Sequence, residues 1–500
     1  MKALAAKVFA SYINKKNKKW INHPIASQKK VFKDLIKKGS KTAFGTDHDF
    51  GSIKSFADFF QRVPINDYEA LRPYVDRMVA GEKNILWPGK PLYFAKTSGT
   101  TSGAKYIPIS KESMPTHITA ARDALLNYIY KTGKAGFVNG KHIFVQGSPV
   151  LDDLNGVALG RLSGIVAHYV PSYLQKNRMP SWKTNTIDDW ETKVNAIVSE
   201  TVDKDMTVIG GIPSWVQMYF ERLTQKSDQK VGTLFPNFSL FVYGGVNFEP
   251  YRSVFDKLIG RGVDQIELFP ASEGFFAYQD QLNEKGLLLL VDNGIFYEFI
   301  EAAHFYDPSP KRLTLEEVTL DVNYVLIIST TAGLWGYNIG DTVQFTSLSP
   351  FRIIVSGRIK HFISAFGEHV IGSEVEKALE FALNESKETI AICEFTVAPQ
   401  INPEEGLPYH EWFIEFDDMP KDLLTFQAHI DTAMNDLNIY YKDLIVGSVL
   451  RPLVIQAVQK GGFASYMKSI GKLGGQNKVP RLSNDRKIAT GLQSFLYSET

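Results

Sequence analysis

The sequence predicts an α/β protein: a large N-terminal domain of parallel-rich sheets with a small β-barrel-like part, then a smaller α+β domain. Three observations predict it. From about residue 91, short apolar runs alternate with helical patterns, as strand–helix–strand crossovers require. Between about 287 and 346 the apolar runs come without long helices between them, which suggests antiparallel pairing. After Gly357-Arg358, a helix, strands and a second helix follow one another over a shorter length, as in a separate unit.

Taken in order, residues 1 to about 90 read as mostly helical, with helical spacing of apolar residues over Lys29–Ile36 and Phe56–Phe60. Pro64-Ile65-Asn66-Asp67 reads as a turn with a helix cap. The apolar runs Leu92–Phe94, Ile143–Val145, Val208–Ile209, Leu240–Tyr243 and Ile266–Phe269 are strand candidates, and Thr116–Tyr130 and Ser214–Leu223 are helix candidates between them. The antiparallel part draws on Leu287–Val291, Phe296–Ile300, Tyr324–Thr330 and Thr342–Phe345. The last unit draws on a helix at Ser373–Leu383, strands at Ile390–Val397 and Glu411–Phe416, and a helix at Leu423–Leu437. The domains expected are 1–357 and 358–500, with no internal repeat and no low-complexity tract.

Composition narrows the function classes. The 500 residues carry 55 basic against 54 acidic side chains, a formal charge of +1, which argues against a nucleic-acid footprint but permits a local phosphate site. The one cysteine, Cys393, rules out a disulfide framework within the chain and points to a reducing, cytoplasmic setting. Lying in an apolar run, it reads as a small core residue. The first segment, Ala3–Tyr12, is followed rather than preceded by dense charge (Lys15, Lys16, Lys18, Lys19). It therefore reads as an amphipathic helix with a solvated basic end and not as a secretory signal. No apolar run approaches the roughly 20 residues of a membrane span. Histidines 117, 168 and 304 show no ligand spacing for a structural metal.

Five motifs carry chemistry. In Tyr93–Lys105 a strand runs into Thr97-Ser98-Gly99-Thr100-Thr101-Ser102-Gly103-Ala104-Lys105. Its glycines let the backbone approach a phosphate, its N–H groups and hydroxyls can cradle anionic oxygens, and Lys105 adds a mobile charge. The glycine spacing is too short for the Walker pattern, and a flexible surface loop is the plainer alternative. Phe269-Pro270-Ala271-Ser272-Glu273-Gly274 stands at a strand's carboxyl end, where open α/β sheets bind ligands. There an aromatic ring suits stacking on a purine, and the Glu273 carboxylate suits Mg2+ held against triphosphate oxygens; a turn with an N-capping serine is the plainer alternative. In Trp335-Gly336-Tyr337-Asn338-Ile339-Gly340-Asp341, the aspartate can accept hydrogen bonds from ribose hydroxyls, or the segment is a Gly-Asp turn between strands. Gly357-Arg358-Ile359-Lys360 suits a hinge that bears on phosphate, or a solvated linker. In Gly474-Gly475-Gln476-Asn477-Lys478-Val479-Pro480-Arg481, the lysine in a glycine-rich turn can be delivered to a distant site.

The order of these motifs resembles the adenylate-forming superfamily of acyl-CoA synthetases, luciferases and peptide-synthetase adenylation domains. Within it, the chain resembles the GH3 family of acyl-acid amido synthetases. The residues that carry this are Phe362–Glu368, Ala271-Ser272-Glu273, Tyr297-Glu298-Phe299, Gly211-Ile212-Pro213-Ser214-Trp215 and Asn477–Arg481, within a likeness spanning roughly 20–485. The resemblance implies an adenylate-forming N-terminal domain that binds ATP and the acid, and a mobile C-terminal domain that rotates between two half-reactions. It implies that Ser98, Gly99, Thr100, Thr101 and Lys105 hold the β/γ-phosphates, that Ala271, Ser272 and Glu273 border adenine and Mg2+, and that Asp341 takes the ribose with Arg358 nearby. Lys478 would close over the α-phosphate and the carboxylate. Lys478, Glu273 and Lys105 are thus the expected catalytic groups, and Gly244, Gly245 and Phe269 join the nucleotide site.

The acid pocket is expected at strand ends, from Pro213, Trp215, Gly244-Gly245-Val246 and Tyr219, with Arg122 steering the carboxylate. One of Trp215 and Tyr219 is expected in the core. Two departures from the superfamily pattern stand out: Phe269 where tyrosine is usual, and Asn338 where arginine is common. The function implied is a ligase that uses ATP and Mg2+ to form an acyl-adenylate and then an amide with an amino acid. The rivals are an acyl-CoA synthetase and a non-catalytic nucleotide-binding protein. The partners expected are a small carboxylic acid and an amino acid, with no nucleic acid and no membrane, on a cytoplasmic monomer.

Overall fold

The structure is a computed structural model. It describes residues 2–97, 105–170, 175–245, 248, 251–359, 362–363, 365, 368, 370–386, 388–447, 449–474, 478–483 and 485–497. The chain packs as two units. The first comprises Met1–Ile212, Leu234–Gly245 and Val263–Val355; the second comprises Pro213–Thr233, Val246–Gly262 and Ser356–Thr500.

The first unit opens with helices Lys2–Asn22, Pro24–Gly39, Phe56–Arg62 and Tyr68–Val79. Local chemistry starts two of them. Ser55 and Asp58 form a reciprocal capping box, and the Asp67 side chain accepts from Ala70 N at 3.0 Å. The first helix buries Ala10 and Ile13, and its basic end (Lys15, Lys16, Lys18, Lys19) is exposed, as the charge pattern predicts.

Strands β1 (Tyr93–Thr97), β2 (Lys105–Ile109), β4 (Asp152–Leu154) and β5 (Val157–Gly160) form a four-stranded sheet in the order β2-β1-β5-β4. The large sheet contains β3 (Lys141–Val145), β6 (Arg178–Met179), β7 (Met206–Gly211), β8 (Leu240–Gly244), β9 (Asp264–Ala271), β10 (Gly274–Tyr278), β11 (Leu287–Leu289), β12 (Ile295–Glu301), β13 (Asn323–Thr330), β14 (Tyr337–Leu348) and β15 (Phe351–Arg358). Their order is β12-β13-β14-β15-β11-β10-β9-β8-β7-β3-β6. From β9 to β6 the pairing is parallel, with the helix Met114–Thr132 preceding β3 in the chain. The antiparallel strands expected after residue 287 continue this same sheet through the β9–β10 hairpin. The unit's main core lies between the N-terminal helices and the antiparallel strands, around Phe44, Phe59, Trp335 and Phe345.

In the second unit, β16 (Phe362–Ile363) pairs with β17 (Val370–Ile371), and β18 (Ala391–Gln400), β19 (Tyr409–Asp418) and β20 (Val454–Val458) form a three-stranded sheet. Helices Gly372–Glu385 and Leu423–Leu437 bury Leu379, Ala382, Ile430 and Met434 in a core shared with Ile392, Trp412 and Ile414 of that sheet. The segments Pro213–Thr233 and Val246–Gly262 pack with this unit, although in sequence they follow β7 and β8.

Candidate functional site

The parallel strands end in step. Val145 pairs with Gly211, Gly210 with Val242 and Gly244 with Leu268, so the carboxyl ends of β3, β7, β8 and β9 come together on one edge of the sheet. That edge is where α/β sheets place ligands. Gly244 has to be glycine, because a Cβ there would overlap the Leu268 carbonyl oxygen. Gly245 turns the chain with φ +90°. Ala271 pairs with Gly274, which makes Ser272 and Glu273 the two-residue tip of the β9–β10 hairpin; Ser272 is 9 % exposed and Glu273 half-buried. The Phe269 ring is 7 % exposed and meets Phe276 edge-to-face at 5.0 Å, so it belongs to the core rather than standing clear as a stacking platform.

Asp341 is placed by a feature that sequence reasoning misread. The Gly-Asp segment is not a turn between strands: β14 runs unbroken from Tyr337 to Leu348, and the register shifts between Ile327↔Asn338 and Val325↔Thr342. The extra residues, Asp341 among them, form a bulge with Gly340 at φ +86°. Asn338, standing where arginine is common, holds that bulge: its Oδ1 accepts from Gly340 N at 2.8 Å. Asn66 fastens the start of the strand, donating to the Trp335 carbonyl at 2.8 Å, while Asn338 N donates to the Asn66 carbonyl at 2.8 Å.

Lys105 opens β2 opposite Thr97, with Nζ 5.5 Å from the Tyr68 ring centroid. Ser98, Gly99, Thr100, Thr101 and Val246 lie outside the described residues. Arg122 lies on the helix Met114–Thr132. Its guanidinium binds Asp123 at 2.7 Å and lies 5.7 Å from the Phe9 ring, which ties it to the contact between the first helix and Met114–Thr132. On the helix Pro213–Ser227, Pro213 and Trp215 are buried and Tyr219 is fully enclosed, so both aromatic rings are core and not one of them. Arg358 is exposed at the end of β15.

Lys478 is exposed, and the chain beyond it is firmly held. Val397 N donates to the Arg481 carbonyl at 2.9 Å, Ser483 N donates to the Val397 carbonyl at 2.9 Å, and Thr396 Oγ1 donates to the Pro480 carbonyl at 2.7 Å, which fastens 480–483 along β18. Arg481 is 12 % exposed. It pairs with Glu394 and with Glu376 (3.3 Å), donates to the Tyr251 hydroxyl at 3.2 Å, and lies over the Phe395 ring at 4.5 Å. Tyr251 in turn donates to Glu394 at 3.1 Å. A second buried pair, Glu368 Oε1 to His410 Nε2 at 2.8 Å, holds the end of the Phe362–Glu368 segment. No local pattern foretold either network, because each joins residues far apart in the chain.

With the strand ends, the bulged aspartate and the anchored late lysine in place, comparison with known proteins assigns the chain. The GH3 family N-terminal domain matches residues 14–170, its central domain 288–358 and its C-terminal domain 373–487. The chain belongs to the GH3 family. An indole-3-acetic acid-amido synthetase of Arabidopsis thaliana is 21 % identical over 95 % of this chain and 92 % of its own. A jasmonoyl–L-amino acid synthetase of Oryza sativa subsp. japonica is 20 % identical over 91 % and 92 %. Among solved structures, the GH3.15 acyl acid amido synthetase superposes with a TM-score of 0.78 at 15 % identity, covering 98 % of this chain and 97 % of its own. A 2-hydroxyisobutyryl-CoA ligase bound to its acyl-AMP superposes at 0.58 with 14 % identity over 95 % and 92 %. The fold is thus that of adenylate-forming ligases.

Proposed function

We propose that this GH3 protein is an ATP-dependent ligase that converts a carboxylic acid to its acyl-adenylate and then joins the acyl group to an amino acid. The observation that carries the reading is the convergence of Gly244-Gly245 and the Ser272-Glu273 tip at aligned strand ends, on a chain whose relatives are named as amido synthetases over nearly their full length.

In the first step a carboxylate oxygen attacks the α-phosphorus of ATP and pyrophosphate leaves; in the second the amine attacks the acyl carbon and AMP leaves. Negative charge gathers on phosphate oxygens, so fixed N–H groups and cations are the natural catalysts. Ser98, Gly99, Thr100, Thr101 and Lys105 would take the β/γ-phosphates, Ala271 and Ser272 the adenine edge, Asp341 the ribose hydroxyls, Arg358 a phosphate or ribose oxygen, and Lys478 the α-phosphate. Glu273 fits a Mg2+ ion carried mainly by the nucleotide. It is one half-buried carboxylate at a hairpin tip, and no group of three or more His, Cys, Asp or Glu side chains forms a metal site among the described residues. Bound there, the ion would neutralise triphosphate charge.

The test is pyrophosphate release across a grid of aryl and alkyl acids against the common amino acids, with coenzyme A as a rival acceptor. Release that requires an acid and an amino acid, with an amide as product, is expected. Thioester formation with coenzyme A would replace the amide reading, and no acid-dependent ATP–pyrophosphate exchange would remove the ligase reading. No helix among the described residues is long and apolar enough to cross a membrane.

A further inference from the structure

At the carboxyl end of β3 the chain runs into Gln146-Gly147-Ser148-Pro149, and at the end of β5 into Arg161-Leu162-Ser163. These two turns pack tightly on each other. A Cβ on Gly164 would overlap the Ser148 carbonyl oxygen. One on Gly147 would stand 3.2 Å from Arg161 Cδ, 3.4 Å from Ser163 Oγ and 3.8 Å from Arg161 Nη1. His168 Nε2 lies 2.9 Å from the Pro149 carbonyl oxygen and ties the two turns together.

Three polar side chains, Arg161 and Ser163 beside Gly147 and Gln146 preceding it in the chain, lack partners among the described residues. Gln146 Nε2 and Ser163 Oγ are buried without a hydrogen bond among the described residues. Arg161 is exposed, with its guanidinium in no ion pair and no hydrogen bond among the described residues. Its charge is nevertheless felt nearby: burial, and then the Arg161 charge, hold the Lys193 ammonium down at about 8. A buried donor left unpaired costs about 1–3 kcal/mol, so two at one turn mark a place that a ligand's oxygens would complete.

Strand pairing places this turn. Gly160 pairs with Ala95, so Arg161 leaves β5 beside Lys96, one step before the glycine-rich segment begins. Val145 pairs with Gly211, so Gln146 leaves β3 beside the end of β7. A guanidinium and a hydroxyl beside one turn, with an unpaired amide on the adjoining residue, suit a carboxylate, with arginine able to hold both oxygens.

We propose that Arg161, Gln146 and Ser163 bind the α-carboxylate of the amino-acid acceptor. The inference rests on the ligase reading above. Of the two carboxylates in that reaction, the acid's loses its charge on adenylation, so a fixed arginine clamp on it would stabilise the ground state and slow the step. The acceptor's carboxylate passes through unchanged and gains from a permanent clamp. This also supplies a physical reason for an amino acid, rather than a thiol, as acceptor.

The test uses the acid and amino acid that perform best in the grid, together with the primary amide of that amino acid (glycinamide for glycine). Arg161→Met is expected to raise the KM for the amino acid by about 10- to 100-fold. The KM for the acid in ATP–pyrophosphate exchange should stay unchanged, and the preference for amino acid over its amide should disappear. Arg161→Lys should restore part of the affinity, and Ser163→Ala should raise the same KM by a few-fold. A rise in the acid's KM with the amino acid's unchanged would assign the turn to the other carboxylate and overturn the proposal. Unchanged KM values for both would overturn it as well. Absence of exchange in the unaltered protein would instead remove the ligase reading, and the site with it.

Discussion

Two arginines of this protein are set in opposite ways. Arg161 stands exposed at the end of β5, with no ion pair among the described residues and two buried, unpaired polar atoms beside it. Arg481 is half-buried between Glu376 and Glu394, bonded to the Tyr251 hydroxyl and laid over Phe395. The comparison teaches what each region is for. A saturated network fixes the chain's own geometry, here the segment behind Lys478. A cluster left unsaturated by the described residues is, on the proposal above, held for a ligand.

The largest effect that can break this comparison is on stability. Arg481→Met would leave the half-buried Glu376 and Glu394 without their cation, and should cost about 3 kcal/mol in urea unfolding. Arg161→Met should stay within about 0.5 kcal/mol of the unaltered protein. Similar losses at the two sites would erase the distinction. Next, Lys478→Ala should slow adenylation by about 10²–10³-fold while transfer from preformed adenylate stays nearly intact. Equal loss in both half-reactions, measured by pyrophosphate exchange and by single-turnover amide formation, would remove Lys478 from its proposed role.

His117 sharpens the comparison from another side. It sits on Met114–Thr132, 4 % exposed, with Nδ1 unpaired among the described residues, and burial lowers its pKa to about 4. Because the folded value lies below the unfolded one of about 6.5, the stability is present above pH 6.5 and is lost as pH falls towards 4. About 2 kcal/mol of the loss between pH 7 and pH 5 should therefore vanish in His117→Phe, read from urea unfolding at both pH values. An unchanged pH dependence would mean that the imidazole does find a partner.

The smallest effect tests the saturated network alone. Tyr251→Phe removes one hydroxyl shared by Glu394 and Arg481 and should cost about 1 kcal/mol. Any slowing of adenylation that it causes should disappear in a Lys478→Ala background, as a double-mutant cycle would reveal. Additive losses would show that the network does not act through Lys478.

Much of this was legible in local pattern. The helix Leu423–Leu437 and the strand ends near Gly211, Gly244 and Ala271 follow from periodicity and from the short apolar runs that precede them. Asp341 was chosen for its Gly-Asp neighbours, and the local geometry was not legible, since a bulge is a relation between two strands and Thr342–Phe345 alone does not contain it. Arg122 was chosen as a cation on a helix near the glycine-rich loop. The partner that occupies it, Asp123, is adjacent, but Phe9 reaches it only once the first helix has packed. Arg161, Gln146 and Ser163 did not stand out in sequence, because β3 and β5, which lead into them, belong to two different sheets.

The sequence by itself determined the alternation of strands and helices, the order of the motifs and hence the family, since these depend on period and spacing along one stretch of chain. Only the tertiary structure decided which polar groups were satisfied. Whether an arginine is an anchor or a receptor depends on the carboxylates that folding brings to it from distant segments. Arg481 meets Glu376 and Glu394; Arg161 lies beside the Gly147 turn with Ser163 and meets no carboxylate among the described residues.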